Sequence, residues 1–175
     1  LSARNADLVL WSKDGWFLPW QHLVQFIAPD FFGNPSTLNY WGVWNYGELV
    51  GYVGIIPLIF AIFALLSRLG KRTIFFVLAL FVSLLFALPT YFAKLPIYLN
   101  IPFLSTAQPT RLLFITVFCL SVLSAFGFDF FIKKQFGENK KNILSKLVFS
   151  VLIVGIILIC LWIFVLSFGK NINSL

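Results

Sequence analysis

Arg111 is the side chain with the clearest chemical potential in this sequence. It follows Pro109 and Thr110 and directly precedes an uncharged run. A planar guanidinium at that border suits a phosphate at headgroup depth, held through two parallel hydrogen bonds. A terminal arginine also snorkels to the membrane interface with no ligand, and position alone favours that use. Among the acids, Asp30 and Glu48 are separated by a segment broken by Gly and Pro, so their spacing does not indicate a paired general acid and base. Asp30 follows Pro29 and suits the turn at Phe31 to Gly33. Glu48 opens an uncharged run, where a carboxylate is costly unless hydrated or paired, and where the positive end of a helix would favour it. Asp129 is placed to reach Lys133 one helical turn on. His22 has no second ligand at metal spacing and reads as an interfacial polar residue, with no zinc site. Cys119 and Cys160 fall inside apolar runs and read as small apolar residues.

The elements that must position these residues follow from composition. Of 175 residues, 60% are hydrophobic and only 11% charged, with mean hydropathy +0.94. Soluble domains carry roughly a quarter charged residues, so this is no soluble globular chain. About 20 apolar helical residues cross a hydrocarbon core. Four runs of that length are present, at 49–67, 73–92, 112–132 and 147–168. They do not alternate as barrel strands do. The expected fold class is therefore all-α, a polytopic helical membrane protein with four transmembrane helices after an N-terminal extracytoplasmic segment, residues 1–48. Gly51, Gly54 and Pro57, then Pro89, then Gly127 are expected to loosen their helices or let them pack closely.

Formal charge is +7, and its placement sets orientation. Arg68, Lys71 and Arg72 follow the first run, and Lys133, Lys134, Lys140, Lys141 and Lys146 lie between the third and fourth. Those two connections are expected on the cytoplasmic side. The first 48 residues and the C-terminal tail then share the opposite side. Topology accounts for the basic excess, and no basic-aromatic pattern for nucleic acid is present. Because the chain opens on Leu1 and carries no basic-then-apolar leader, it is expected to be a piece of a longer protein.

Two outer segments stand out. In the first, residues 17–29, Trp20, Leu23, Val24 and Ile27 recur at helical spacing, predicting a short amphipathic helix lying in the interface. A crowd of Tyr, Trp and Asn follows, serving either as an aromatic belt or as a polar-aromatic floor for a sugar or lipid headgroup. In the second, Pro96, Pro102 and Pro109 are expected to break the chain into short pieces that fold back on the membrane surface.

The run APDFFGNPSTLNYWGVWNYGELVGYVGIIPLIFA, then a basic turn, an apolar hairpin, LNIPFLSTAQPTRLLF and a span ending AFGFDFF, resembles the later part of YfhO-like bacterial membrane proteins. These are similar to the GT-C class of glycosyltransferases, which take a sugar from a polyprenyl-phosphate carrier at the outer face. The likeness covers nearly the whole chain and rests on hydropathy layout and two short segments, without a catalytic signature. It implies a bacterial cell membrane protein whose partners are membrane lipids, a polyprenyl-phosphate-sugar donor and an extracytoplasmic glycan or polymer acceptor. It places Arg111 at the carrier phosphate and Glu48, Asp30, Asn45 and Tyr46 along the donor or acceptor cavity. The catalytic acid of such enzymes belongs to an earlier outer loop, so no catalytic residue is assigned here. A transporter or flippase, or a non-catalytic membrane scaffold, is the competing expectation.

Overall fold

Long uncharged runs satisfy their backbone groups within helices, since a helix leaves no polar group for lipid to accommodate. The computed structural model describes residues 16–43, 46–67, 69–99, 101–102, 107–134 and 140–172, and it is all-helical, with no strand among them. The α-helices are α1 (Tyr46–Leu49), α2 (Ile55–Ser67), α3 (Lys71–Ala87), α4 (Tyr91–Tyr98), α5 (Leu113–Lys134) and α6 (Lys140–Ile172). Among the described residues, three 3-10 helices, Trp20–Phe26, Pro35–Thr37 and Pro109–Leu112, lie outside them.

Two helical stretches, Pro109–Lys134 and Lys140–Ser167, are long and apolar enough to cross a membrane, and α3 with α4 makes a third if the bent pair is one span. The expected span at 112–132 matches α5 closely. The one at 147–168 lies inside α6, which starts earlier because Lys140, Lys141 and Lys146 are helix formers that a hydropathy boundary leaves out.

The first run, 49–67, is not one helix. The chain leaves α1 at Leu49 and re-enters a helix only at Ile55. Gly54 takes φ +100, a conformation closed to most L-residues. Pro57, which has no N–H to give, then falls in the first turn of α2, where none is needed. The helical ladder opens with Leu58 N–H donating to Gly54 O (3.1 Å). Thirteen residues remain in α2, about 20 Å of helix.

The second run bends by 60° between α3 and α4. Thr90 holds this corner: its hydroxyl donates to Leu85 O (2.7 Å) and accepts from Ala93 N–H (3.2 Å). Pro96 does not break the chain as expected. It sits inside α4, which continues to Tyr98.

By internal contacts the chain divides into two units, residues 1–53 with 75–120, and 54–74 with 121–175. In the first, Leu18, Leu49, Ala87, Leu88 and Leu113 form a buried cluster with Leu23 and Phe26 against it. Leu18 N–H also donates to Ala87 O (2.8 Å), satisfying a carbonyl that the end of α3 would leave open. A buried hydroxyl pair, Ser83 and Thr116 (2.8 Å), joins α3 to α5. Ser83 Oγ lies 2.9 Å from Leu80 O, whereas Thr116 Oγ1 lies 3.5 Å from Leu112 O. The Ser83 proton therefore goes to Leu80, and the Thr116 hydroxyl donates to Ser83. In the second unit α2 packs along α6, and Phe60 and Phe63 of α2 meet Phe128, Phe130 and Phe131 of α5 edge-on or tilted.

The segment 17–29 departs from the expected amphipathic α-helix. Residues Trp20–Phe26 form a 3-10 helix, in which positions three apart eclipse. His22 and Gln25 therefore share a row, and that row is the buried one, while Trp20 is 55% exposed. Burying these polar groups is affordable because they satisfy each other. His22 Nδ1–H donates to Gln25 Oε1 (2.6 Å), and Gln25 Nε2 donates to Pro29 O (3.1 Å). Val43 N–H approaches His22 Nε2 at 3.5 Å, and the imidazole stacks on Phe32 with centroids 4.3 Å apart. Burial lowers the His22 pKa, outweighing the Gln25 hydrogen bond that raises it.

Candidate functional site

The site is assembled in the first unit where α1 meets the Pro109–Leu112 turn. Pro109 is pre-shaped for the first position of that turn, and Gln108 precedes it as the cap residue. The turn delivers Thr110 to the interior and Arg111 to the surface just before α5 begins. Gln108 Nε2 donates to Glu48 Oε2, tying the loop to α1.

Glu48, Thr110 and Arg111 line a cavity of about 380 Å³ walled by Val50, Leu113, Phe114 and Val117. Opposite charges thus face one space without forming an ion pair: Glu48 is held by Gln108, and no carboxylate among the described residues bonds to Arg111. Thr110 is 3% exposed, and its hydroxyl has no hydrogen-bond partner. A buried hydroxyl left unpaired costs about 1–3 kcal/mol, and this one is closed off from the cavity by its own burial. A cation and a carboxylate above apolar walls suit an amphiphile with a charged, hydrogen-bonding head.

The other expected site residues fall elsewhere. Asp30 accepts from Tyr46 Oη (2.8 Å) and Asn34 Nδ2 (3.1 Å), and neither Asp30 nor Tyr46 lines the cavity. The turn at Phe31 to Gly33 is closed by the Asp30 backbone, which accepts from Gly33 N–H (2.9 Å), while the carboxylate reaches past it. The hydrogen bond to Asp30, with burial and nearby charge adding to it, raises the Tyr46 pKa, so the phenol stays a donor. Asn45 lies outside the described residues. Asp129 pairs with Lys133 at 2.8 Å, the expected one-turn contact. Among the described residues no three of His, Cys, Asp and Glu gather as a metal centre. Gln108 and Thr110 were not singled out from sequence, although both flank Pro109 in the same Q-P-T-R stretch as Arg111.

Tyr46→Phe tests whether the Asp30 contact is a tether. It is expected to lower folding stability by no more than about 1 kcal/mol, the worth of one exposed hydrogen bond. Thermal unfolding checks this, and a loss of several kcal/mol would show that the contact does more than tether the loop.

Fold and site together define a class, a helical membrane protein with a largely apolar cavity that carries Glu48 and Arg111. No protein-family model, curated protein or solved structure matches the chain.

Proposed function

We propose that this chain is the carrier-binding part of a membrane glycosyltransferase that uses a polyprenyl-phosphate-linked sugar at the extracytoplasmic face, for cell-envelope glycan or teichoic-acid glycosylation. The observation that carries the reading is the cavity, in which Arg111 lies beside the apolar flank of α5. A lipid phosphate needs both, a guanidinium for its oxygens and an apolar wall for its chain. In this reading Arg111 holds the carrier phosphate, and Glu48 faces the sugar. The chemical step is direct displacement at the anomeric carbon by an acceptor hydroxyl, activated by a carboxylate from an earlier outer loop.

The topology belongs to the same proposal. The membrane is crossed four times, by residues 49–67, by α3 with α4 as one broken span, by α5 and by α6. Arg68, Lys71, Arg72, Lys133, Lys134, Lys140, Lys141 and Lys146 lie on the cytoplasmic side. The first 48 residues lie outside, and the cavity borders them at the outer ends of the first and third crossings.

The break between α3 and α4 favours a second reading, since transporters coordinate ions with the carbonyls of broken helices. Here four of the carbonyls at the break are engaged. Leu84 O accepts from Leu88 N–H, Leu85 O from Thr90 Oγ1, Ala87 O from Leu18 N–H and Leu88 O from Thr90 N–H. The glycosyltransferase reading is therefore preferred.

Arg111→Ala in the intact protein is expected to cut sugar transfer from a polyprenyl-phosphate donor by about 100-fold, as loss of a charged donor at a transition-state anion does. Membrane insertion and abundance are expected to stay unchanged. Wild-type transfer by this variant would remove Arg111 from the site.

A further inference from the structure

The cavity's charges carry a selectivity that the proposed function does not contain. Arg111 contributes one positive charge and Glu48 one negative charge to the same space, and they do not neutralise each other by contact. Glu48 is fixed in its place by Gln108, which donates to one carboxylate oxygen and leaves the other free to accept. A phosphate drawn to Arg111 therefore brings its remaining groups toward a carboxylate. A second phosphate charge is repelled there, at energies that grow as apolar walls exclude water. A hydroxyl on the ester substituent is welcomed, because it can donate to Glu48.

We infer that this cavity selects a phosphodiester with a hydroxyl-bearing head over a phosphomonoester, with Arg111 as the phosphate ligand and Glu48 as the residue that discriminates. The inference rests on the carrier-phosphate reading of the cavity and deepens it. A sugar-loaded carrier phosphate is a singly charged diester, whereas the spent carrier is a monoester that carries close to two charges near neutral pH. The same cavity would then hold the donor and release the product.

The test uses the intact protein in phosphatidylcholine nanodiscs doped with phosphatidylglycerol, a diester with a glycerol head, or with phosphatidic acid, a monoester. Bound lipid is counted by native mass spectrometry. Phosphatidylglycerol is expected to bind about 10-fold more tightly than phosphatidic acid, the factor of one charge-assisted contact. Glu48→Gln keeps one oxygen to accept from Gln108 but replaces the second, charged oxygen with a neutral NH2 donor, and is expected to bring the two lipids to within about 2-fold of each other. Thr110→Val is expected to leave both affinities as they are and thermal stability unchanged or raised, since an orphaned buried hydroxyl is removed. Equal binding of the two lipids by the wild type, or a preference untouched by Glu48→Gln, would overturn the inference. These outcomes are independent of sugar transfer. Selective binding that responds to Glu48→Gln, in a protein without transfer activity, sinks the glycosyltransferase reading and leaves the selectivity standing. Transfer that depends on Arg111 but comes with equal lipid binding does the reverse.

Discussion

Gly127→Ala, a change of one methyl group, is expected to destabilise the protein far more than most substitutions in its helices. A Cβ at Gly127 would overlap the carbonyl oxygen of Phe60, and would stand 2.9 Å from that carbonyl's carbon and 3.3 Å from Ala64 N. All three are backbone atoms, so no rotamer change relieves the contact and α2 and α5 must separate. Separation in turn loosens Phe60 and Phe63 against Phe128, Phe130 and Phe131, a layer in which Phe63 is fully buried. Overpacking of this kind costs about 1–3 kcal/mol or more. Close approach at a small residue is also the main source of helix association in lipid, where no hydrophobic force draws helices together. Gly155→Ala supplies the matched control, because nothing lies within 4 Å of a Cβ there. It is expected to be neutral or slightly stabilising, since alanine is the better helix former. Thermal unfolding in detergent reads both variants. Equal melting temperatures for the two would show that α2 and α5 do not approach at Gly127.

Acidification is expected to destabilise the segment packed around His22, and His22 is the group responsible. Burial, partly opposed by the Gln25 hydrogen bond, sets its pKa below the ordinary value of 6.5. Just below pH 6.5 the unfolded chain therefore binds a proton that the folded chain refuses. The stability due to neutral His22 is fully present above 6.5 and is lost progressively as pH falls toward the folded-state value. Protonation has a definite local consequence. Nε2, the acceptor facing Val43 N–H, becomes a donor, so two donors meet across that 3.5 Å contact while the Gln25 bond survives. Chemical denaturation at pH 7.5 and at pH 5 is expected to show lower stability at the acid value. His22→Leu leaves Gln25 and Val43 without their partner, which costs about 1–3 kcal/mol for a buried polar group. It is also expected to flatten the pH dependence between those two values. A wild-type profile that is flat there, or a His22→Leu variant that keeps the slope, would remove His22 from that role.

Much of the architecture was legible because it depends on near neighbours in sequence. The uncharged runs dictate helices, and α5 begins and ends within a residue or two of where hydropathy put it. Gly127 as a point of close packing, Pro89 as a weak point of the second run, and Asp129 with Lys133 all follow from residue type and a 3.6-residue period. The misreadings came where the backbone left that period. Trp20, Leu23, Val24 and Ile27 share one face of an α-helical wheel, but a 3-10 helix turns every three residues and brings His22 and Gln25 inward instead. Two polar residues look unfit for burial until Pro29 O and Val43 N–H, supplied by the chain further on, are in place beside them. In the first run, composition spoke for a continuous span. Gly54 in a left-handed conformation and Pro57 in the first turn divided it.

The sequence by itself determined that this is a helical membrane chain, and it named Arg111 and Glu48 as charges standing at the borders of apolar runs. Only the tertiary structure decided that the two line one cavity, that Gln108 rather than Arg111 holds Glu48, and that Thr110 carries a buried hydroxyl with nothing to bond. Hydropathy and helical period are properties of a local stretch, whereas the partner of a polar group is set by which distant segment packs against it. The border charges could be read along the chain, and the cavity they share exists only once α1 meets the turn before α5.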